Sequence, residues 1–78
     1  MHEVGVAKEI LNLGLEKARG RKIKSLKVEL GDDGHTTPKS LIDAFAMVAV
    51  GTLAEGASLV ITRTKDLESR LLELEVES

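Results

Sequence analysis

The chain opens Met1-His2-Glu3, within the stretch "MHEVGVAKEIL". A free α-amine, the backbone nitrogen of residue 2 and the imidazole of a histidine at that position can bind one metal ion together. The amine and the amide nitrogen close one small chelate ring, and the amide nitrogen and Nδ1 close a second. The amide must give up its proton, which a strong Lewis acid such as Ni(II) or Cu(II) promotes. Three nitrogens then lie in one plane, and planar N/O coordination favours Ni(II) or Cu(II) over Zn(II). The neighbouring Glu3 can supply a carboxylate oxygen at the fourth corner. By itself a histidine at position 2 is weak evidence, because termini usually fray and carry little.

Little else in the chain offers chemistry. No glycine-rich phosphate loop follows a strand, and neither histidine stands in a nucleophile–base motif, so no enzyme is expected. Asp32 and Asp33 in "GDDG" are two carboxylates, too few for a calcium loop, and Asp with Gly reads as a turn. His35 is a single loop histidine of the kind that is ordinarily solvated. There is no cysteine, which removes disulfides and thiolate zinc sites. A net charge of −2 argues against nucleic acid as a partner. The basic residues of "KARGRK" suit a helix C-terminus and read as a solvated end rather than an anion-binding patch. No basic leader with an apolar segment and no membrane-length run appears, so the expectation is a cytoplasmic protein without a membrane partner.

These residues must be positioned by a small fold. Seventy-eight residues make one domain, 1–78, near the lower limit for a self-sufficient core, and Phe45 is the only aromatic. Economical helix-on-sheet packing is expected, with self-association as a further source of buried surface. A first helix is expected over about residues 4–18, with Val6, Ala7, Ile10, Leu11, Leu13 and Leu15 along one broad face and Gly20 as its stop. Strand one is "KIKSLKVELG", in which Leu26, Val28 and Leu30 alternate with Lys27 and Glu29. Thr37 and Pro38 mark the start of a second helix as N-cap and first helical residue. Leu41, Ile42, Phe45, Val48 and Ala49 form its expected buried stripe, and Gly51 its end. Strand two is "SLVITRT", with Leu59 and Ile61 toward the core. Strand three is "RLLELEVES", in which Leu72, Leu74 and Val76 alternate with Glu73, Glu75 and Glu77. One dry face and one wet face result, with both helices on the dry one and the lysines of strand one opposite the glutamates of strand three. The expected class is α+β, a two-layer sandwich in the order αβαββ.

Taken together, "MHE" before an apolar helix, "KVELG", "AF" inside the second helix and "GTLAEGASLVI" resemble the HypA/HybF family of nickel metallochaperones. The resemblance runs from Met1 to about Thr64 and resumes at "RLLELEVE". It implies two helices on a three-stranded mixed sheet, and nickel held by the Met1 amine, His2 and Glu3. It also implies a role in nickel delivery during maturation of [NiFe] hydrogenase or urease, with a HypB-type GTPase and the maturation machinery as partners. The family carries a zinc-binding domain with two Cys-x-x-Cys pairs, inserted before the last strand. Here "KDLES", near residues 65–69, spans that place and no zinc is expected. Pro38 stands near a position where some members place an acidic residue, so Glu3, Asp32, Asp33, His35 and water all remain candidates for the fourth ligand. The alternative reading is a metal-free interaction module that kept the fold.

Overall fold

The computed structural model describes residues 2–78, with His2 described through its backbone alone. Its elements are α1 (His2–Ala18), β1 (Ile23–Leu30), α2 (Pro38–Val48), β2 (Ser58–Arg63) and β3 (Arg70–Val76). The sheet order is β2-β1-β3, with β1 parallel to β2 and antiparallel to β3. This is the α+β arrangement of order αβαββ on a mixed sheet. No helix among the described residues is long and apolar enough to cross a membrane.

The central strand organises the core. β1 pairs on both sides, and its Ile23, Leu26, Val28 and Leu30 are each at most 1% exposed. α1 lays Ala7, Ile10, Leu11 and Ala18 on this surface. Gly14 completes that stripe: a Cβ there would stand 2.9 Å from Leu26 Cδ2, so the missing side chain lets the helix sit close to β1. Leu13, expected on the buried face, is 38% exposed. The 3.6-residue repeat brings Gly14 to the strand and turns Leu13 to the flank. The helix ends at Ala18, and the chain turns through Arg19 and Gly20 at positive φ.

α2 begins as its residues dictate. Thr37 is the N-cap, its hydroxyl accepting the Ser40 N–H at 3.1 Å while Ser40 Oγ accepts the Thr37 N–H at 2.9 Å. Pro38 occupies the first turn, where its missing N–H is no loss. Leu41, Ala44, Phe45 and Ala49 are buried. Ile42 is not: it stands at one margin of the stripe, 44% exposed, while Ala44 at the other margin is buried. The helix stops at Val48, two residues before Val50 leads into Gly51.

β3 departs from simple alternation. Lys27 pairs with Glu73 but Val28 pairs with Leu71, leaving Leu72 as an unpaired extra residue. Such a bulge reverses which side chains face inward on either side of it. Leu71 therefore takes the half-buried position expected for Leu72, which is 45% exposed. A second irregularity at Lys24, between the Ile23–Val76 and Ser25–Glu75 pairs, returns Ile23 to the core. On the wet face the ion pair joining β1 to β3 is Arg70 Nε to Glu29 Oε1 at 2.9 Å, with the charges the opposite way round from the expected lysine–glutamate pairs.

Candidate metal centre

α1 starts at His2, two residues before the expected position near Val4. Nothing in "HEV" breaks a helix, and Glu3 in the first turn complements the positive end of the helix dipole. His2 and Glu3 are therefore part of the first turn rather than a tail before it. The first four N–H groups of a helix have no carbonyl four residues back to bond. A metal that takes the proton from the His2 amide thus breaks no helical hydrogen bond. The Met1 amine and the His2 imidazole, the other expected donors, lie outside the described residues. Glu3 is half-buried.

One turn beyond Glu3, Val6 joins Glu9 and Ile10 in lining an open depression of about 350 Å³. Its opposite wall is Asp33 and the 67–71 segment. The "GDDG" loop and the connection between β2 and β3 are thus brought to the face of α1 that bears Val6, Glu9 and Ile10. Two hydrogen bonds tie them to each other. The Gly31 N–H donates to Ser69 Oγ at 2.7 Å, and the Asp32 N–H donates to the Asp66 carbonyl at 2.7 Å. A Cβ on Gly31 would stand 2.6 Å from the Leu67 carbonyl oxygen and the Glu68 carbonyl carbon. These are backbone atoms that cannot swing aside. Gly31→Ala is expected to destabilise the domain by about 1–3 kcal/mol, the range for forced overpacking, read as a lower urea midpoint.

Three of the candidates for a fourth ligand, Asp32, Asp33 and His35, lie together in the loop between β1 and α2. Asp33 does what a turn aspartate does. Its Oδ1 accepts the N–H groups of His35 and Thr36 at 2.8 and 2.7 Å, and its Oδ2 accepts the Thr36 hydroxyl at 2.7 Å. Thr36 is 5% exposed, so this carboxylate satisfies buried polar groups and shapes the entry into α2. Asp32 and His35 are exposed. Among the described residues, no three His, Cys, Asp or Glu side chains gather into a metal-holding group. Sequence reasoning treated "KDLES" as a bare connector and missed its attachment to "GDDG". The available signal was Gly31 at the end of a strand, where a glycine marks close approach of another backbone.

A two-layer αβαββ domain with His2 and Glu3 in the first turn of its leading helix is a small α+β architecture. The chain belongs to the HypA family: residues 1–68 match the family described as hydrogenase/urease nickel incorporation, metallochaperone, hypA. It is 33% identical over 63 residues to the hydrogenase maturation factor HypA of Geobacter sulfurreducens, covering 81% of this chain and 57% of that protein. Against the HypA of Crocosphaera subtropica it is 34% identical over 65 residues, covering 83% and 57%. Against that of Picosynechococcus sp. it is 41% identical over 64 residues, covering 78% and 57%. The chain thus spans a little over half the length of these relatives.

Proposed function

We propose that this chain is the nickel-binding domain of a HypA-type metallochaperone, present without the zinc-binding insertion. It takes up Ni(II) as cargo through the Met1 amine, the His2 amide and imidazole nitrogens, and Glu3. It is an accessory protein rather than an enzyme, working in the cytoplasm and passing nickel toward [NiFe] hydrogenase or urease. Its partners are a HypB-type GTPase and the maturation machinery. The observation that carries this reading is the placement of His2 and Glu3 in the first turn of α1, in a chain of this family. There the His2 amide is free to be deprotonated at no cost to the helix. The absence of cysteine leaves zinc without thiolate ligands, so zinc has no part in the reading.

The test is calorimetric titration with Ni(II). One ion per chain is expected, with an absorption band of planar geometry, and His2→Ala abolishes both. Amine, imidazole and amide all release protons on binding, so affinity falls steadily as pH is lowered from neutral to mildly acidic. Unchanged affinity in His2→Ala, or affinity flat across that pH range, refutes the site. No binding at all leaves the domain as a metal-free interaction module.

A further inference from the structure

The sheet has two open edges, and they differ in character. β3 carries Glu73, Glu75 and Glu77, so pairing it with its own copy sets carboxylates against carboxylates. β2 has no charge from Ser58 to Thr62, no proline, and no strand among the described residues paired along its outer side. Its Val60 is 51% exposed. Natural sheets normally blunt such an edge with charge, proline or a bulge. A shallow groove of about 140 Å³, lined by Ile42, Ala46, Ala57 and Leu59 among others, runs beside it under α2.

We propose that β2 is a self-association edge on which a second copy of this chain pairs antiparallel, making a continuous six-stranded sheet. The inference is independent of the nickel reading. The backbone specifies the geometry. The Thr64 N–H donates to the Leu30 carbonyl at 3.0 Å, so residues of that parity, Val60 and Thr62, turn their backbone groups toward β1. Leu59, Ile61 and Arg63 turn theirs outward. Leu59 and Ile61 also point their side chains to the helix-covered face. An antiparallel partner keeps both covered faces on one side only when odd residues meet odd residues. Centring the two-fold on Val60 pairs Leu59 with the second copy's Ile61 through their free backbone groups. It sets Val60 against Val60, and Ser58 against Thr62.

Strand overlap and charge together select this register among those that parity allows: centring on Leu59 pairs only residues 58–60 within both strands, against 58–62 with Val60 at the centre. With Val60 at the centre, the cationic end of β2, Arg63 and Lys65, approaches the turn of the other copy that bears Glu55. Centring on Ile61 instead places Arg63 against Leu59. A two-fold pairing of identical edges also closes on itself, whereas joining β2 to the acidic β3 of the next copy propagates without end.

The chain has no cysteine, so one introduced residue reads the register directly. Opposed residues in a non-hydrogen-bonded antiparallel pair have Cα atoms about 4.5 Å apart, inside the disulfide range of about 4.4–6.8 Å. Val60→Cys is expected to give a covalent dimer under mild oxidation. Thr62→Cys is expected to remain uncrosslinked, because four residues along paired strands separate the two copies by about 13 Å. The unmodified chain should sediment at twice its monomer mass. Val60→Lys, changing an exposed side chain, should sediment as monomer with an unaltered circular dichroism spectrum. A monomer at every concentration overturns the proposal, as does a species larger than a dimer. So does crosslinking of Thr62→Cys as readily as Val60→Cys, or a dimer that survives Val60→Lys.

Discussion

Acetylation of the Met1 amine is expected to eliminate planar Ni(II) binding while the unfolding transition stays in place. The amine is the donor that closes the first chelate ring, and an acetylated nitrogen is no longer basic enough to fill that role. His2 and Glu3 remain present and unmodified, so the experiment separates the donor from the residues beside it. The loss should exceed the roughly 10–100-fold that changes around the ligands usually cost, since a ligand itself is removed. Titration calorimetry and visible absorption on acetylated and native protein give the answer. Adding residues before Met1 is a weaker comparison, because an extension that places His2 third in the chain creates a different nitrogen chelate. The fold should be indifferent to either change. The buried cluster begins at Ala7, with Val4 and Val6 packed against its margin, and is built of aliphatic side chains and Phe45. Chelator treatment should likewise leave the melting curve of the native protein nearly unchanged. Equal affinity in acetylated and native protein would show that the terminal amine is not a ligand.

Phe45→Ala is the costliest single change expected in this chain. Phe45 is 2% exposed and sits in α2 among Leu41, Ala44 and Ala49, in a core otherwise wholly aliphatic. Replacing a buried Phe by Ala removes its transfer free energy and leaves a cavity, together about 3–5 kcal/mol. Domains of this kind have a total stability of about 5–15 kcal/mol, so the variant stands close to unfolding at ambient temperature. Ile42→Ala, one turn earlier at a side chain already 44% exposed, is the control and should cost far less. Urea denaturation of the two variants checks the difference. Equal midpoints would contradict the burial described for Phe45.

The class and order of the elements were legible because their signals are local. Thr37-Pro38 fixes where α2 starts, and the alternation in "LKVEL" fixes which side of β1 is dry. What escaped depends on partners distant in the chain. Leu72 satisfies the period-2 pattern in sequence, yet the bulge opposite Lys27 and Val28 hands the inward place to Leu71. No local pattern announces that exchange, because it is decided by register against β1. Leu13 and Ile42 erred for a related reason. Each is apolar at nearly the right angle, but the stripe that meets the core is rotated away from it, toward Gly14 in α1, whose missing side chain admits Leu26, and toward Ala44 in α2. Of the candidate site, the His-Glu pair was legible and its place in the helix was not. Helix N-termini without a capping side chain have weak boundary signals. Asp33 was readable as a turn residue, and the hydrogen bonds to His35 and Thr36 bear that out.

The attachment of the 66–69 segment to the end of β1 bears on how this architecture tolerates insertion. Asp66 is held by Asp32 and Ser69 by Gly31, so the two sides of Leu67–Glu68 are clamped to a third piece of chain rather than to each other. Extra residues spliced between them need not disturb either clamp. The added cost is then chiefly that of closing a longer loop, which grows only logarithmically, by about 0.6 kcal/mol per doubling of length. Leu67 is 77% exposed, so the splice point opens outward. The fold is in this sense modular at one bond. It can accept a foreign folding unit there, carried beside Val6, Glu9 and Ile10 of α1, without re-registering a single strand.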